Sequence, residues 1–259
     1  MAIITNTFTT YDAKGIREDL ADVIYNISPE ETPYLTMAKK FTAKQTFHEW
    51  QTDSLAAPDT DNAHVEGDEA AFNAVTPTTR VGNYAQISRK TVIISGSEEA
   101  TDKAGRKSEM AYQMAKKSAE LKRDMEAIIF SNQAAAAGDS ATARKTGSLL
   151  AFLKSNTSVG ADGADPTYTN VPNDTRTDGT QRSFTEGLLK DVILSIYNAG
   201  GNPKVLMVPP AQKQVASGFT GIAQTRFNVQ GDKPAAIIGA ADIYVSDFGN
   251  VEIVPNRFM

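Results

Sequence analysis

The stretch SGSEEATDKAGRKSEMAYQMAKKSAELKRDMEAIIFSNQAAAAG, residues 95–138, reads mostly as one long helix and sets the plan of the chain. Ser95 and Ser97 supply hydroxyl caps, and Glu98, Glu99 and Asp102 put negative charge where the free N–H groups of a helix start lie. At about 100° per residue, Met114, Leu121, Met125 and Ile128 fall within roughly 60° of Met110, which predicts one narrow apolar stripe. Lys116, Glu120, Lys122, Arg123 and Glu126 lie outside that stripe, and Lys117 and Asp124 sit at its edge and must snorkel outward. Ala134 to Ala137 and then Gly138 are the predicted end, with glycine as a left-handed cap. Gly105 costs about 1 kcal/mol in a helix interior, so a kink or a separate short helix is expected ahead of it. From Arg106 to Ala137 the rise is on the order of 48 Å, about three times the usual helix. A helix of this kind is a spine for something extended.

Composition narrows the function classes. The 259 residues allow one large domain or two modest ones, and 41% hydrophobic with 22% charged content is ordinary for a soluble globular protein. A formal charge of −5 argues against a general binder of nucleic acid or anionic membranes. The absence of cysteine excludes disulfides, thiolate catalysis and cysteine–zinc sites. Met1 to Phe8 lacks the basic head and apolar core of a signal peptide, and no apolar run approaches the roughly 18 residues of a membrane span. Synthesis in a cytoplasm is expected.

Working outward toward the N-terminus, residues 1–15 form a Thr-rich arm, and Arg17 to Ile27 form a short helix showing Leu20, Val23, Ile24 and Ile27 on one face. Thr32-Pro33-Tyr34-Leu35-Thr36-Met37 is a further turn or short helix. Two strands follow by their period of two, Thr46–Thr52 and Ala85–Ile94. Between them, residues 55–82 carry Asp59, Asp61, Glu66, Asp68 and Glu69 and too few apolar residues for a core. This is a long hairpin arm with an acidic tip. A lone two-stranded ribbon is marginal in water, so it is expected to rest on something else, such as another copy of the chain.

Beyond the spine, residues 146–153 are a short apolar segment and 155–182 a long loop of the kind that carries a function or a partner contact. A helix capped by Ser183 or Thr185 buries Leu188, Leu189, Val192, Ile193 and Ile196 and ends at Gly200-Gly201. Lys204–Val208 is a buried strand stopped by Pro209-Pro210, Ala211–Ala216 is helical, and Ala235–Gly239 is a short apolar run. Residues 243–254 form a hairpin turning at Asp247-Phe248-Gly249-Asn250. The second half is thus a compact α/β module, and the first half is arms plus a spine.

Catalytic chemistry finds no foothold. His48 and His64 lie in the arm and its tip with no further nitrogen or sulfur ligand nearby. The Asp59–Glu69 acids start like a calcium loop, but Ala63 and His64 stand where a ligand and then glycine are needed. Asp247-Phe248-Gly249 matches a kinase tripeptide without its companion motifs, and no nucleophile elbow or phosphate loop occurs. No catalytic residue, metal ligand or cofactor is assigned. The mixed charges of the spine, Lys117, Lys122 and Arg123 with the acids between them, read either as plain solubility or as salt bridges to neighbouring subunits.

Several blocks resemble a known family. They are Arg17 to Pro29 with Thr32-Pro33-Tyr34-Leu35; Val65-Glu66-Gly67-Asp68-Glu69-Ala70; Leu121 to Glu126 with Ser131-Asn132-Gln133-Ala134; Arg176 to Arg182; Gly200-Gly201-Asn202-Pro203; and Tyr244 to Gly249 with Val254-Pro255-Asn256-Arg257-Phe258. In this order they resemble the tailed-phage major capsid proteins of the Hong Kong 97 fold. The resemblance implies an α+β chain: N-terminal arm 1–40, extended hairpin loop 41–96, spine helix of a peripheral domain 97–144, axial domain 145–240, and a return into the peripheral domain over 241–259. It implies a virion structural protein, present in the host cytoplasm during assembly. Such a protein forms hexamers and pentamers of an icosahedral shell around double-stranded DNA without sequence-specific contact. It works without a cofactor, enzymatic activity or a membrane. Scaffolding, portal or decoration proteins are the further partners implied. Subunit contacts are expected at Trp50, Glu66, Asp68, Glu69, Lys117, Lys122 and Arg123. The stripe is expected to pack on the peripheral sheet of its own subunit, with the charges facing solvent or the next subunit. Relatives continue past Asn256-Arg257-Phe258 with further sheet strands; without them, the 243–254 hairpin would lack a strand partner. The alternatives are an encapsulin-like bacterial compartment shell and, from another class, a cytoplasmic enzyme.

Overall fold

The structure, a computed structural model, describes residues 28–69, 72, 74–219 and 242–259. The Arg17–Ile27 helix and the Ala235–Gly239 run lie outside the described residues. The described elements are α1 (Pro33–Met37), β1 (Phe47–Thr52), β2 (Thr79–Tyr84), α2 (Gly96–Ala100), α3 (Glu109–Phe130), α4 (Leu149–Phe152), α5 (Glu186–Asn198), β3 (Val205–Val208), α6 (Pro210–Ser217), β4 (Ile243–Ser246) and β5 (Gly249–Pro255). The class is α+β. The chain divides into two units, one holding residues 31–89 and 122–259, the other holding 28–30 and 90–121 among its described residues.

In the smaller unit, the spine breaks where Gly105 predicts. Ser95 caps α2 by accepting from the Glu98 N–H at 3.2 Å. The chain then turns through Gly105, at φ +75°, and restarts at Ser108, whose hydroxyl accepts from the Ala111 N–H. Glu99 reaches forward and accepts from the Glu109 and Met110 N–H groups. Hydrogen bonds from Ser108 first, then Met110, hold its carboxyl below the ordinary range. Lys117 pairs with Glu120 at 2.7 Å along the surface of α3.

The larger unit corrects three expectations. First, α3 ends at Phe130, not at Gly138. Alanine favours helix, but here tertiary hydrogen bonds claim the backbone: Ala135 N–H donates to Pro172 O, and Ala136 and Lys145 exchange both of theirs. Asn132 meanwhile brackets the Arg176 backbone, donating to its O and accepting from its N–H. Second, the strand paired with β1 is Thr79–Tyr84, not Ala85–Ile94. The antiparallel register runs from Phe47 opposite Tyr84 to Thr52 opposite Thr79. Past Ala85, Gln86 accepts from the side-chain amide of Gln133 and from Thr146 N–H, so the chain is held by side chains where no ladder partner exists. Third, the 243–254 hairpin has a partner. β5 lies between β4, antiparallel, and β3, parallel, in the order β3-β5-β4.

That sheet and α5 and α6 enclose the core of Leu189, Ile193, Val208, Ala216, Phe219, Tyr244, Val251 and Ile253. Its α5 face matches the predicted one. Each fully buried aliphatic side chain here contributes about 1.5–3 kcal/mol. Thr185 is the cap, accepting from Leu188 N–H, and the helix closes with Gly200 at φ +83°. Gly201 N–H then reaches Ile196 O and Gly200 N–H reaches Tyr197 O, the two-bond closure that a left-handed glycine permits. Burial, with Glu186 accepting from its hydroxyl, pushes the Tyr244 phenol up.

The 155–182 segment contains no helix or strand longer than a single bridge, yet it is bonded internally. Ala164 and Thr177 exchange backbone hydrogen bonds, and Asp174 accepts from the Thr167 N–H and hydroxyl. Those bonds hold the Asp174 carboxyl below its ordinary range.

Candidate functional site

The long hairpin is tied down at its base and free at its tip. Gly82 donates its N–H to Asn170 O, and a Cβ at Gly82 would lie 2.6 Å from the Phe47 ring, so only glycine permits this approach. Asn83 exchanges hydrogen bonds with the Gly147 backbone in both directions. Beyond Thr52 the chain carries Leu55 at 99% exposure and Phe72 at 98%. The expectation that the arm needs support therefore divides: its base rests on its own chain, and its tip touches little of it.

The most heavily buried polar cluster lies elsewhere, on the C-terminal part of α3. Glu126 and Asn256 are both 0% exposed. One oxygen of Glu126 accepts from Tyr34 N–H at 2.9 Å and from the Asn256 side-chain amide at 2.7 Å; the other accepts from Leu35 N–H at 3.0 Å. Pro33 occupies the first helical position of α1, and the next two N–H groups are among those a helix start leaves without partners. Thr32, the N-cap, makes no side-chain capping bond, so a carboxylate from a residue 91 or 92 positions away does that work. Charge placed at a helix start is favoured by the partial positive charge of those amides, and a buried carboxylate must be satisfied in this way.

Asn256 is fixed in turn. Its N–H donates to Val208 O, and its side-chain oxygen accepts from Phe258 N–H. The Tyr34 ring meets Phe130 edge-on at 5.5 Å. Three distant stretches, 32–35, 126–130 and 254–258, are thereby joined. Residues 32–35, Glu126 and residues 254–258 each fall in a separate block of the sequence resemblance. The arrangement offers no nucleophile with a base and no open coordination position; it is an anchor for the chain leading into α1. Among the described residues no group of three or more His, Asp or Glu is placed to hold a metal ion, and no helix is long and apolar enough to cross a membrane.

This cluster corrects the expected placement of one charge on the spine, while Lys116 and Lys122 stay exposed as expected. Glu126 stood among the outward charges, whereas Met110, Met114 and Met125 stood on the inward stripe. In the structure Glu126 is enclosed and those three methionines are exposed, with Leu121 and Ile128 half-buried. Glu126 turns inward because it meets the capping demand of α1, which an acid can satisfy and a methionine cannot. Periodicity alone carries no sign of that demand.

The residues expected at subunit contacts fall in different settings. Trp50 projects from β1, 40% exposed, with its ring 5.9 Å from Phe152. Glu66, Asp68 and Glu69 are exposed on the hairpin tip. Lys117 is engaged with Glu120, and Lys122 is exposed. Arg123 is half-buried, its guanidinium 5.7 Å from the Phe258 ring centroid and its Nε without a hydrogen-bond partner.

Comparison with known proteins gives one family. The model described as "SU10 major capsid protein" matches residues 3–259. A curated relative, the major capsid protein of Escherichia phage Phieco32, is 34% identical over 244 residues, covering 82% of this chain and 69% of that protein.

Proposed function

Because the chain belongs to the SU10 major capsid protein family, and so is a structural capsid protein of a tailed phage and not an enzyme, we propose that it builds an icosahedral head from hexamers and pentamers around double-stranded DNA. A capsid protein resides in the virion and associates with copies of itself. The finer reading is a Hong Kong 97-type subunit with arm 1–40, extended loop 41–96, spine 97–144, axial domain 145–240 and a peripheral return over 241–259. Trp50, Glu66, Asp68, Glu69, Lys117, Lys122 and Arg123 are then the proposed contact residues. Scaffolding, portal or decoration proteins are further proposed partners.

The hairpin carries this reading. A segment that leaves Leu55, Val65, Phe72 and Val75 exposed among the described residues, on a base pinned by Gly82 and Asn83, offers apolar surface for another copy to cover. Many modest contacts of that kind add up through multivalency, and symmetric closure converts them into a shell. The net charge of −5 suits a container whose wall must not hold its DNA.

Size-exclusion chromatography with negative-stain microscopy tests the proposal. Capsomers or shells are expected, and a stable monomer at high concentration would sink it. Deleting residues 55–75 should leave the α5–β5 module folded by circular dichroism while abolishing shells. Normal shells from that deletion would show the tip to be dispensable.

A further inference from the structure

Five rings form a continuous ladder across the larger unit. Phe41 lies 4.8 Å from His48, His48 6.0 Å from Trp50, Trp50 5.9 Å from Phe152, and Phe152 5.9 Å from Tyr168. Beside it runs an open groove of about 570 Å³ lined in part by Lys44, His48, Trp50 and the Glu49–Arg80 ion pair, which leaves Lys44 as its uncompensated charge. Phe41 is exposed, and Trp50 partly so.

The ladder is flanked by positive charge at both ends. Lys39, Lys40 and Lys44 are exposed beside Phe41, and residues 38–48 contain no acid. At the other end Lys154 sits 4.6 Å over the Tyr168 ring. The hairpin tip is the complement of this surface. Residues 53–78 contain Asp53, Asp59, Asp61, Glu66, Asp68 and Glu69 and neither lysine nor arginine, and they expose Leu55 and Val65 among the acids. Those side chains are too exposed to be seated on the ladder of their own chain.

We propose that the aromatic groove along β1 is the receptor for the acidic tip, residues 53–69, of a second copy of this chain. Every copy carries both halves on different surfaces, so the contact is head-to-tail and propagates from one subunit to the next, as a closed ring requires. Rings at the centre of a contact supply its desolvated area, and opposite charges at its rim fix direction and suppress wrong pairings. The proposal rests on the reading of the chain as a shell subunit and adds where on the neighbour the tip lands.

Photocrosslinking tests it in the full chain. A benzoylphenylalanine replacing Phe41 is co-assembled with isotope-labelled unmodified copies, irradiated and mapped by mass spectrometry. Adducts from Phe41 to residues 53–69 of the labelled copy are expected. Shells whose adducts fall only on α3, on DNA, on other segments or within one copy overturn the inference while leaving the shell reading intact. Absence of capsomers from the parent chain overturns both. Charge exchange is the second measurement. Lys39→Glu, Lys40→Glu and Lys44→Glu together should lower shell yield about tenfold, as should Asp59→Lys, Glu66→Lys and Asp68→Lys together, and the six combined should recover it. Failure of the combined variant to recover overturns the pairing.

Discussion

Around Ile193 and Ile253 the chain buries aliphatic side chains against one another, whereas around Glu126 and Asn256 it buries a carboxylate and an amide. The α5–β5 module would be recognisable in any small α/β protein: a helix face, three strands and a second helix share one apolar core. The anchor has no such self-sufficiency. Its stability depends on three donors meeting one carboxylate from stretches 91 to 130 residues apart. An apolar core tolerates many sequences of similar volume, but a polar cluster of this kind accepts few.

The two regions should therefore fail differently. Glu126→Ala has the largest expected effect, about 4 kcal/mol, because it removes the acceptor of the half-buried Tyr34 and Leu35 N–H groups and leaves the buried Asn256 amide only the weak Met207 sulfur. Chemical denaturation measures the loss, and limited proteolysis should cut near residues 28–38 before the module yields. Cleavage no faster than in the parent chain would mean that α1 is held by other contacts. Ile193→Ala should cost about 3 kcal/mol, and here the module and its near-ultraviolet dichroism should go first. Smallest on folding is Leu55→Ser with Phe72→Ser, within about 0.5 kcal/mol by the same denaturation, since both side chains are exposed. If that double variant still assembles at the parent yield, the tip's apolar residues are not buried between subunits.

The same contrast sets what could be read from the amino acids. Thr185, the Leu189–Ile193 face and Gly200-Gly201 are local signals, each decided within a few residues, and the structure bears them out. The break near Gly105 and the Ser95 cap were legible for the same reason. The end of the spine was not, because Pro172, remote in sequence, and Lys145, beyond the following turn, take the amides and carbonyl of the alanine run. Nor was the inward turn of Glu126, which answers a helix start more than 90 residues away. The strand misplaced onto residues 85–94 shows the limit of alternation as a signal: Ile87 and Ile93 alternate, yet both end up exposed. Nothing in the amino acids said that 32–35, 126 and 254–258 meet, because the contact joins positions 91 to 130 residues apart.

Glu126 grips peptide N–H groups and no side chain of the arm it holds. What it recognises is therefore the start of a helix, not an amino-acid identity, with Pro33 leaving the next two amides to be claimed. Those two hydrogen bonds by themselves place no demand on which side chains follow Pro33. Arms of foreign sequence should be graftable onto this subunit wherever the splice preserves Thr32-Pro33 and the carboxylate waiting for the two residues that follow.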